Sequence, residues 1–358
     1  MRITRRIIER LPKAEIHCHL DGCLRPRTVL ELADAQGVKL PTTNLAKLTK
    51  LLQAGKRTRN LGEYLKIFDI TLSVMQERDA LYRVAFELAE DAAAENVRHL
   101  EVRYSPILHR QKRLSFDQIV DPVIAGLADA GRRFNVTTGV IICGIRSMNP
   151  RYSLALAELA LAYKNRGVLA FDLAGQERDY PAKAHQSAFK LVLKNNINVT
   201  VHAGEAFGPA SISQALHYCG AHRIGHGTRL REDKDLMAYV NDHRIPLEVC
   251  LSSNVQTGAV RSIREHPFLF YFKQGLRLTL NTDSRLISGT TLSQEMALAV
   301  RAFRLSPYEV KRVVINGFKS SFLPYAQKAR LLREVNLEID KIFMEEFPDD
   351  YDRRFAGN

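Results

Sequence analysis

No stretch of this 358-residue chain is apolar for long enough to cross a bilayer, since a spanning helix needs about 20 such residues. The chain therefore reads as soluble, with no membrane partner expected. The first ten residues, MRITRRIIER, mix basic and apolar positions without the apolar core and small-residue cleavage site of a secretory signal. No CxxC pair is present to hold a structural zinc. The five cysteines, Cys18, Cys23, Cys143, Cys219 and Cys250, are odd in number and scattered, mostly through apolar segments, which fits reduced thiols in the cytoplasm. Nor does the chain carry an internal repeat, a low-complexity tract, a linker or a recognisable RNA- or DNA-binding module. Its net charge of +13 is dispersed, with short clusters such as Arg5-Arg6, Lys56-Arg57 and Arg132-Arg133. That distribution reads as a solvated surface in preference to a nucleic-acid groove.

What is present is a hydrophobic content of 46%, enough to bury a large core. Short β-rich runs separated by helical patterns recur eight times, at 14–20, 97–105, 137–145, 167–174, 198–203, 223–227, 246–251 and 276–281. Eight strands alternating with helices predict an α/β fold, a (β/α)8 TIM-like barrel, in one domain over 1–358 with its strands between residues 14 and 283. Amphipathic stretches at 152–165, 182–195, 211–219, 234–242 and 262–273 supply outer helices. The gap after the first strand, residues 24–96, is too long for one crossover. It holds helical patterns near 26–36, 62–76 and 79–95 and a turn-rich interruption around 47–59. An insertion there sits at the C-terminal mouth of a barrel and is expected to act as a lid. The segment 307–347 is helical in pattern, and the polar tail 348–358 is expected to be loosely held.

His17-Cys18-His19 lies in the first strand, where a side-chain period of two puts both imidazoles on one face and Cys18 on the other. The fifth strand, VTVHAGE, delivers His202 and then Glu205. The sixth, IGHG, presents His226 between glycines, and the eighth, LTLNTD, ends in Asp283. Strands one and eight are neighbours in a closed barrel, so His17, His19, His202 and Asp283 converge on one cation. Three imidazole nitrogens and a carboxylate oxygen suit Zn2+, one per chain, with room for a water. Taken singly, each of these residues is equally a core histidine or a helix-capping acid; together at strand ends they are a metal centre. Glu205, just beyond a ligand, is placed to give a proton to a substrate nitrogen. His226 is placed to hold or deprotonate the attacking water, and Asp283 to accept a hydrogen bond from it. His266 opens a helical stretch and reads as structural, and His99, His109, His185, His217, His222 and His243 read as surface or satisfied groups. Leu61, Tyr64, Leu65, Phe68 and Leu72 form a helix face suited to packing.

PKAEIHCHLDG, FDLAG, VHAGE, IGHG, SSNxxTG at 252–258 and LNTD occur here in the order in which they occur in the adenosine deaminases of the amidohydrolase superfamily, which this chain resembles over most of its length. The resemblance implies hydrolytic deamination of an adenine ring, with zinc on His17, His19, His202 and Asp283. It implies Glu205 protonating purine N1, His226 assisting attack on C6, and substrate contacts from His19, Asp21, Gly175 and Ser284. The partners implied are a purine nucleoside and water, adenosine first and 2′-deoxyadenosine with it. Asp21 in HLDG points to a ribonucleoside, because relatives acting on adenine or a modified futalosine often carry Glu there. Ser284 departs from the second Asp that many members place against purine N7, and leaves aminodeoxyfutalosine or adenine as alternative substrates. The HxE and PCxxC signature of the other zinc deaminases is absent. Leu61, Leu65 and Phe68 become candidates for closing over a purine. A silent nucleoside- or RNA-binding relative is the reading from another class, against which stands the complete catalytic set.

Overall fold

The computed structural model describes residues 3–348 apart from 56, 57 and 59. The Lys56-Arg57 cluster and the tail beyond Pro348 lie outside the described residues. Eight parallel strands, β1 (Lys13–His19), β2 (Val97–Tyr104), β3 (Thr137–Ile145), β4 (Val168–Ala174), β5 (Asn198–Ala203), β6 (Arg223–His226), β7 (Leu247–Val249) and β8 (Leu278–Leu280), pair in sequence order. A parallel bridge between Cys18 and Asp283 brings the last strand end back to the first. The architecture is the nearly closed (β/α)8 barrel expected, with all eight strands where the sequence places them.

Among the described residues sixteen α-helices surround or cap it: α1 (Arg5–Arg10), α2 (Pro26–Gln36), α3 (Leu45–Leu52), α4 (Leu61–Leu65), α5 (Phe68–Ser73), α6 (Arg78–Ala93), α7 (Phe116–Phe134), α8 (Pro150–Ala162), α9 (Gln186–Lys194), α10 (Pro209–His217), α11 (Lys234–Asp242), α12 (Leu251–Gln256), α13 (Phe268–Lys273), α14 (Leu292–Phe303), α15 (Pro307–Ser320) and α16 (Tyr325–Glu346). Several differ from expectation for local reasons. The interruption at 47–59 contains most of α3, started by the Asn44 side chain accepting from the Lys47 N–H. The pattern at 62–76 is two short helices, and Pro267 breaks the one at 262–273. The run at 307–347 divides at residues 321–324 into α15 and α16. Helix α7, absent from the sequence reading, tolerates Pro122 and begins at a Ser115/Gln118 capping box. It packs along α6, the last helix of the 24–96 insertion.

The barrel interior is polar where most such barrels carry Val, Ile and Leu. Glu101, Arg103, Asp172, Arg223 and Glu248 are all fully buried. Arg103 bridges Asp172 at 2.8 Å and Glu248 at 2.9 Å, and Arg223 bridges Glu101 at 2.7 Å and Glu248 at 2.5 Å. Their outward neighbours Leu100, Val102, Phe171, Leu173 and Val249 pack under the helices. Period-two alternation therefore sorts a charged floor inside from an apolar shell outside.

Candidate active site

Asp283 is fixed by the closure of the barrel. Its N–H donates to the His17 carbonyl at 3.0 Å, and the His19 N–H donates to the Asp283 carbonyl at 2.7 Å. Asp283 and His226 hold φ of +64° and +63°, a left-handed conformation that costs a residue with a side chain about 1–3 kcal/mol and concentrates at functional positions. The Asp283 side chain accepts from Ser253 Oγ at 2.5 Å through Oδ2, while Oδ1 lies 3.4 Å from both His17 Nε2 and His19 Nε2.

Each of two histidines has a carboxylate behind it. His17 Nδ1 donates to Glu248 at 2.7 Å and His202 Nδ1 to Asp172 at 3.1 Å, the two acids that Arg103 holds together. A proton committed to Nδ1 leaves the Nε2 lone pair free to bind a cation. His17 Nε2 is buried with no hydrogen-bond partner. His19 Nε2 and His202 Nε2 lie 3.0 Å apart, a separation that calls for a shared proton or a shared cation. His17, His202, His226 and Asp283 offer donor atoms within 4.8 Å of one another. Gly225 makes this density possible, because a Cβ there would stand 3.1 Å from His17 Cε1 and 3.1 Å from His202 Cα. Burial, with Arg103 nearby, pushes His17 down to about 4, and burial holds His19 well below the usual imidazole range. Burial would lower His202 too, but the Asp172 carboxylate outweighs it and lifts that imidazole. For Asp283, burial works upward, and the His17 hydrogen bond and surrounding histidines hold it well below the ordinary carboxylate range.

Glu205 follows β5 on a turn that one carboxylate organises. Glu177 Oε1 accepts from the Gly204 N–H at 2.6 Å, and Oε2 accepts from Glu205, Ala206 and Phe207 at 3.0, 2.6 and 3.0 Å. Glu205 Oε1 accepts from Thr257 Oγ1 at 2.9 Å, and Oε2 lies 3.5 Å from His226 Nε2. Burial raises the Glu205 carboxyl above its usual value, favouring the protonated form a donor needs.

A cavity of about 350 Å³ joins these groups, walled by His19, Asp21, Gly175, His202, Glu205, His226 and Asp283 below and by Leu61, Tyr64, Leu65, Phe68 and Leu72 from the insertion. Gly175, at φ +94°, lies in a conformation a side chain rarely adopts. Asp21 is buried with Oδ1 unpartnered, and burial pushes its carboxyl up to about 7. A wider hollow of about 720 Å³ adjoins through Leu61, Gln176 and Glu205 and carries Arg178, Arg229, Arg231 and Arg261. Ser284, the other expected contact, is fully buried next to Asp283, with its hydroxyl against Gly22.

No expectation from the sequence gives a role to Arg103, Asp172, Glu177, Glu248, Ser253 or Asn254. A usable signal existed for three of them, since VRY, FDL and LEV each set a charge inside an apolar strand. Asn254 and Ser253 stand in the SSNxxTG motif, but 246–251 reads as one strand, whereas β7 ends at Val249 and α12 begins at Leu251.

A (β/α)8 barrel that gathers three histidines and an aspartate at its strand ends, with buried carboxylates behind two of the imidazoles, is built as the metal-dependent amidohydrolases are. Within that class the chain belongs to the adenosine deaminase family, whose sequence model matches residues 12–338. It is 44% identical over 352 residues to an adenosine deaminase of Mycobacterium sp. (strain JLS), an overlap of 93% of this chain and 96% of the relative. It is 40% identical over 341 residues to a probable adenosine deaminase of Dictyostelium discoideum, covering 95% of this chain and 44% of that longer protein. Among solved structures it is similar to the adenine deaminase of Arthrobacter aurescens (TM-score 0.86, 27% identity, 91% of this chain and 98% of that one). It is also similar to Arabidopsis ADAL complexed with IMP (TM-score 0.84, 28% identity, 93% and 98%).

Proposed function

We infer that the chain hydrolyses adenosine, and 2′-deoxyadenosine with it, to inosine or deoxyinosine and ammonia. The observation that carries this reading is a carboxyl raised by burial, Glu205, set in one cavity wall with a convergent His/Asp cluster. The donor set fits Zn2+ held by His17, His19, His202 and Asp283, one per chain: the orphaned His17 Nε2 and the carboxylate-backed imidazoles are what such a cation requires. Zinc, when bound there, supplies a water ready to attack at neutral pH by lowering its pKa from 15.7 to about 7.

The chain's own groups account for the remaining steps. Glu205 transfers its proton to purine N1 as the water oxygen bonds to C6, which offsets the lost aromaticity at the transition state. Asp283 accepts one water proton and passes it to the exocyclic nitrogen, so that the C6–N bond breaks with ammonia leaving. The second water proton returns to Glu205 as the C6 carbonyl forms, and the books close on inosine. Gly175 offers its backbone to the purine and Asp21 its carboxyl to the ribose, while Leu61, Leu65 and Phe68 exclude water from above. All five cysteines are free and buried, which supports a reducing, cytoplasmic compartment, and no described helix is long and apolar enough to cross a membrane.

The deciding experiment is an ammonia-release screen over adenosine, deoxyadenosine, adenine and 5′-modified adenine nucleosides, with zinc measured in the same protein. Adenosine and deoxyadenosine are expected to turn over fastest, and Glu205→Gln to lose at least about 100-fold in kcat with zinc retained. Ammonia from none of them would overturn the reading, and equal rates on adenine and adenosine would remove the ribose role of Asp21.

A further inference from the structure

His226 stands among the metal-binding nitrogens, yet the atoms behind it differ in kind from those behind His17 and His202. The main-chain N–H of Phe268 donates to His266 Nδ1 at 3.1 Å. An amide N–H cannot become an acceptor, so Nδ1 of His266 is bare. Burial pushes His266 down to about 3, so the ring is neutral and its one proton sits on Nε2. That nitrogen lies 3.1 Å from Asn254 Oδ1, which must therefore be the amide oxygen. The other end of the same amide, Nδ2, then points its N–H at His226 Nδ1, 3.0 Å away. Asn254 is fully buried and His226 and His266 nearly so, so the chain of links is shielded from bulk solvent. Each orientation follows from the one before it and the first is set by the backbone.

We propose that the relay from Phe268 N–H through His266 and Asn254 fixes His226 as the tautomer with its proton on Nε2, making Asn254 and His266 positioning residues for the reaction. His226 then faces the cavity as a donor. It cannot ligate a cation through Nε2 and stays out of the coordination shell even though the four-residue cluster includes it. Nor can it take a proton from the attacking water at that nitrogen. It donates to that oxygen as charge develops, leaving proton acceptance to Asp283. The same N–H faces Glu205 Oε2 at 3.5 Å, so the Glu205 proton has no lone pair of His226 to go to and remains available for purine N1. The catalytic part of this proposal rests on the deaminase reading; the tautomer does not.

The test reads the tautomer directly. In zinc-loaded protein labelled with 15N-histidine, two-bond 1H–15N correlation spectra assign the His226 ring by its loss in His226→Gln. A protonated Nε2 and a bare Nδ1 are expected. Asn254→Asp, nearly isosteric, presents only oxygens and accepts from both imidazoles, so the His226 proton is expected to move to Nδ1. With it, kcat for adenosine is expected to fall about 100-fold, as when one positioned donor is lost, while KM stays within about two-fold. His266→Gln keeps an N–H toward Asn254 and is expected to retain the wild-type tautomer; His266→Phe removes the anchor and is expected to give a mixture. A protonated Nδ1 in the wild type, or a wild-type ring in both Asn254→Asp and His266→Phe, would overturn the proposal. The wild-type and His266 spectra decide it if Asn254→Asp does not fold. A correct tautomer with no ammonia from any adenine compound would sink the deaminase reading alone.

Discussion

Glu177 offers a sharp quantitative test, because one carboxylate organises the turn that carries the proton donor. Four backbone N–H groups converge on it, but they are not equivalent. Gly204 and Glu205 are buried, whereas Ala206 is half-buried and Phe207 exposed, so the last two can turn to water. In Glu177→Gln the amide oxygen is expected to take the Oε2 position, which serves Glu205, Ala206 and Phe207, leaving only the Gly204 N–H facing an NH2. One buried donor without a partner costs about 1–3 kcal/mol. Glu177→Ala strands two, for a loss of about 2–6 kcal/mol by the same scale. The Glu205 carboxyl moves with its backbone, and a displacement on the order of 1 Å costs about 100-fold in rate. Urea unfolding measures the first quantity and steady-state ammonia release the second. The expected pattern is a stability order of wild type, Gln, Ala, with kcat falling in the same order and zinc content unchanged. A Glu177→Ala protein that matches wild type in both unfolding midpoint and kcat would refute the idea that this carboxylate sets the turn.

Three further outcomes follow from the same geometry. Gly225→Ala places a methyl 3.1 Å from His17 Cε1 and His202 Cα, so zinc affinity in a competition titration with a chelator is expected to fall at least about ten-fold, as for losses in the shell that orients metal ligands; unchanged affinity would show that the two imidazoles have slack. Arg103→Met leaves Asp172 and Glu248 buried without their shared cation, a defect of about 3–5 kcal/mol, readable as a lower denaturant midpoint with zinc loading reduced. Burial raises the Asp21 carboxyl to about 7, above its unfolded value near 3.9, so the folded state holds that proton more tightly. Its contribution to stability is then complete below about pH 4 and lost as pH rises through about 7. Asp21→Asn is expected to flatten that loss in unfolding midpoints taken across the window, and an equally steep fall in the variant would clear Asp21 of it.

The convergence of His17, His19, His202 and Asp283 on one cavity was legible because a chemical signature and a structural period coincide in them. His17 and His19 are two apart in a strand, His202 and Asp283 end apolar runs, and the barrel's own closure brings Asp283 to His17 without any long-range information beyond strand order. The residues behind them were not, for a different reason. Asp172 and Glu248 hydrogen-bond histidines that lie 30 and 231 positions away in the chain, and nothing local in either segment names its partner. Ser284, expected at the substrate from the resemblance, follows the left-handed turn at Asp283 and packs its side chain against Gly22. His266, set aside as structural, turned out to be buried within hydrogen-bond reach of the site through Asn254.

Three buried histidines around one point thus carry two opposite assignments, and the atom behind Nδ1 decides between them. The charged floor of Arg103, Arg223, Glu101, Asp172 and Glu248 holds more acids than bases, and its surplus acceptors draw the protons of His17 and His202 onto Nδ1. Their Nε2 lone pairs are left pointing up at the mouth, ready for a cation. An amide N–H stands behind His226 in place of a carboxylate, so the proton there is pushed outward to Nε2 and the ring becomes a donor. The buried ion pairs below the site therefore have a use beyond stability, for which such pairs are weak evidence in any case. They orient imidazoles that would otherwise choose between tautomers, and a barrel floor of Val and Leu, though cheaper to bury, would leave the ligands undecided.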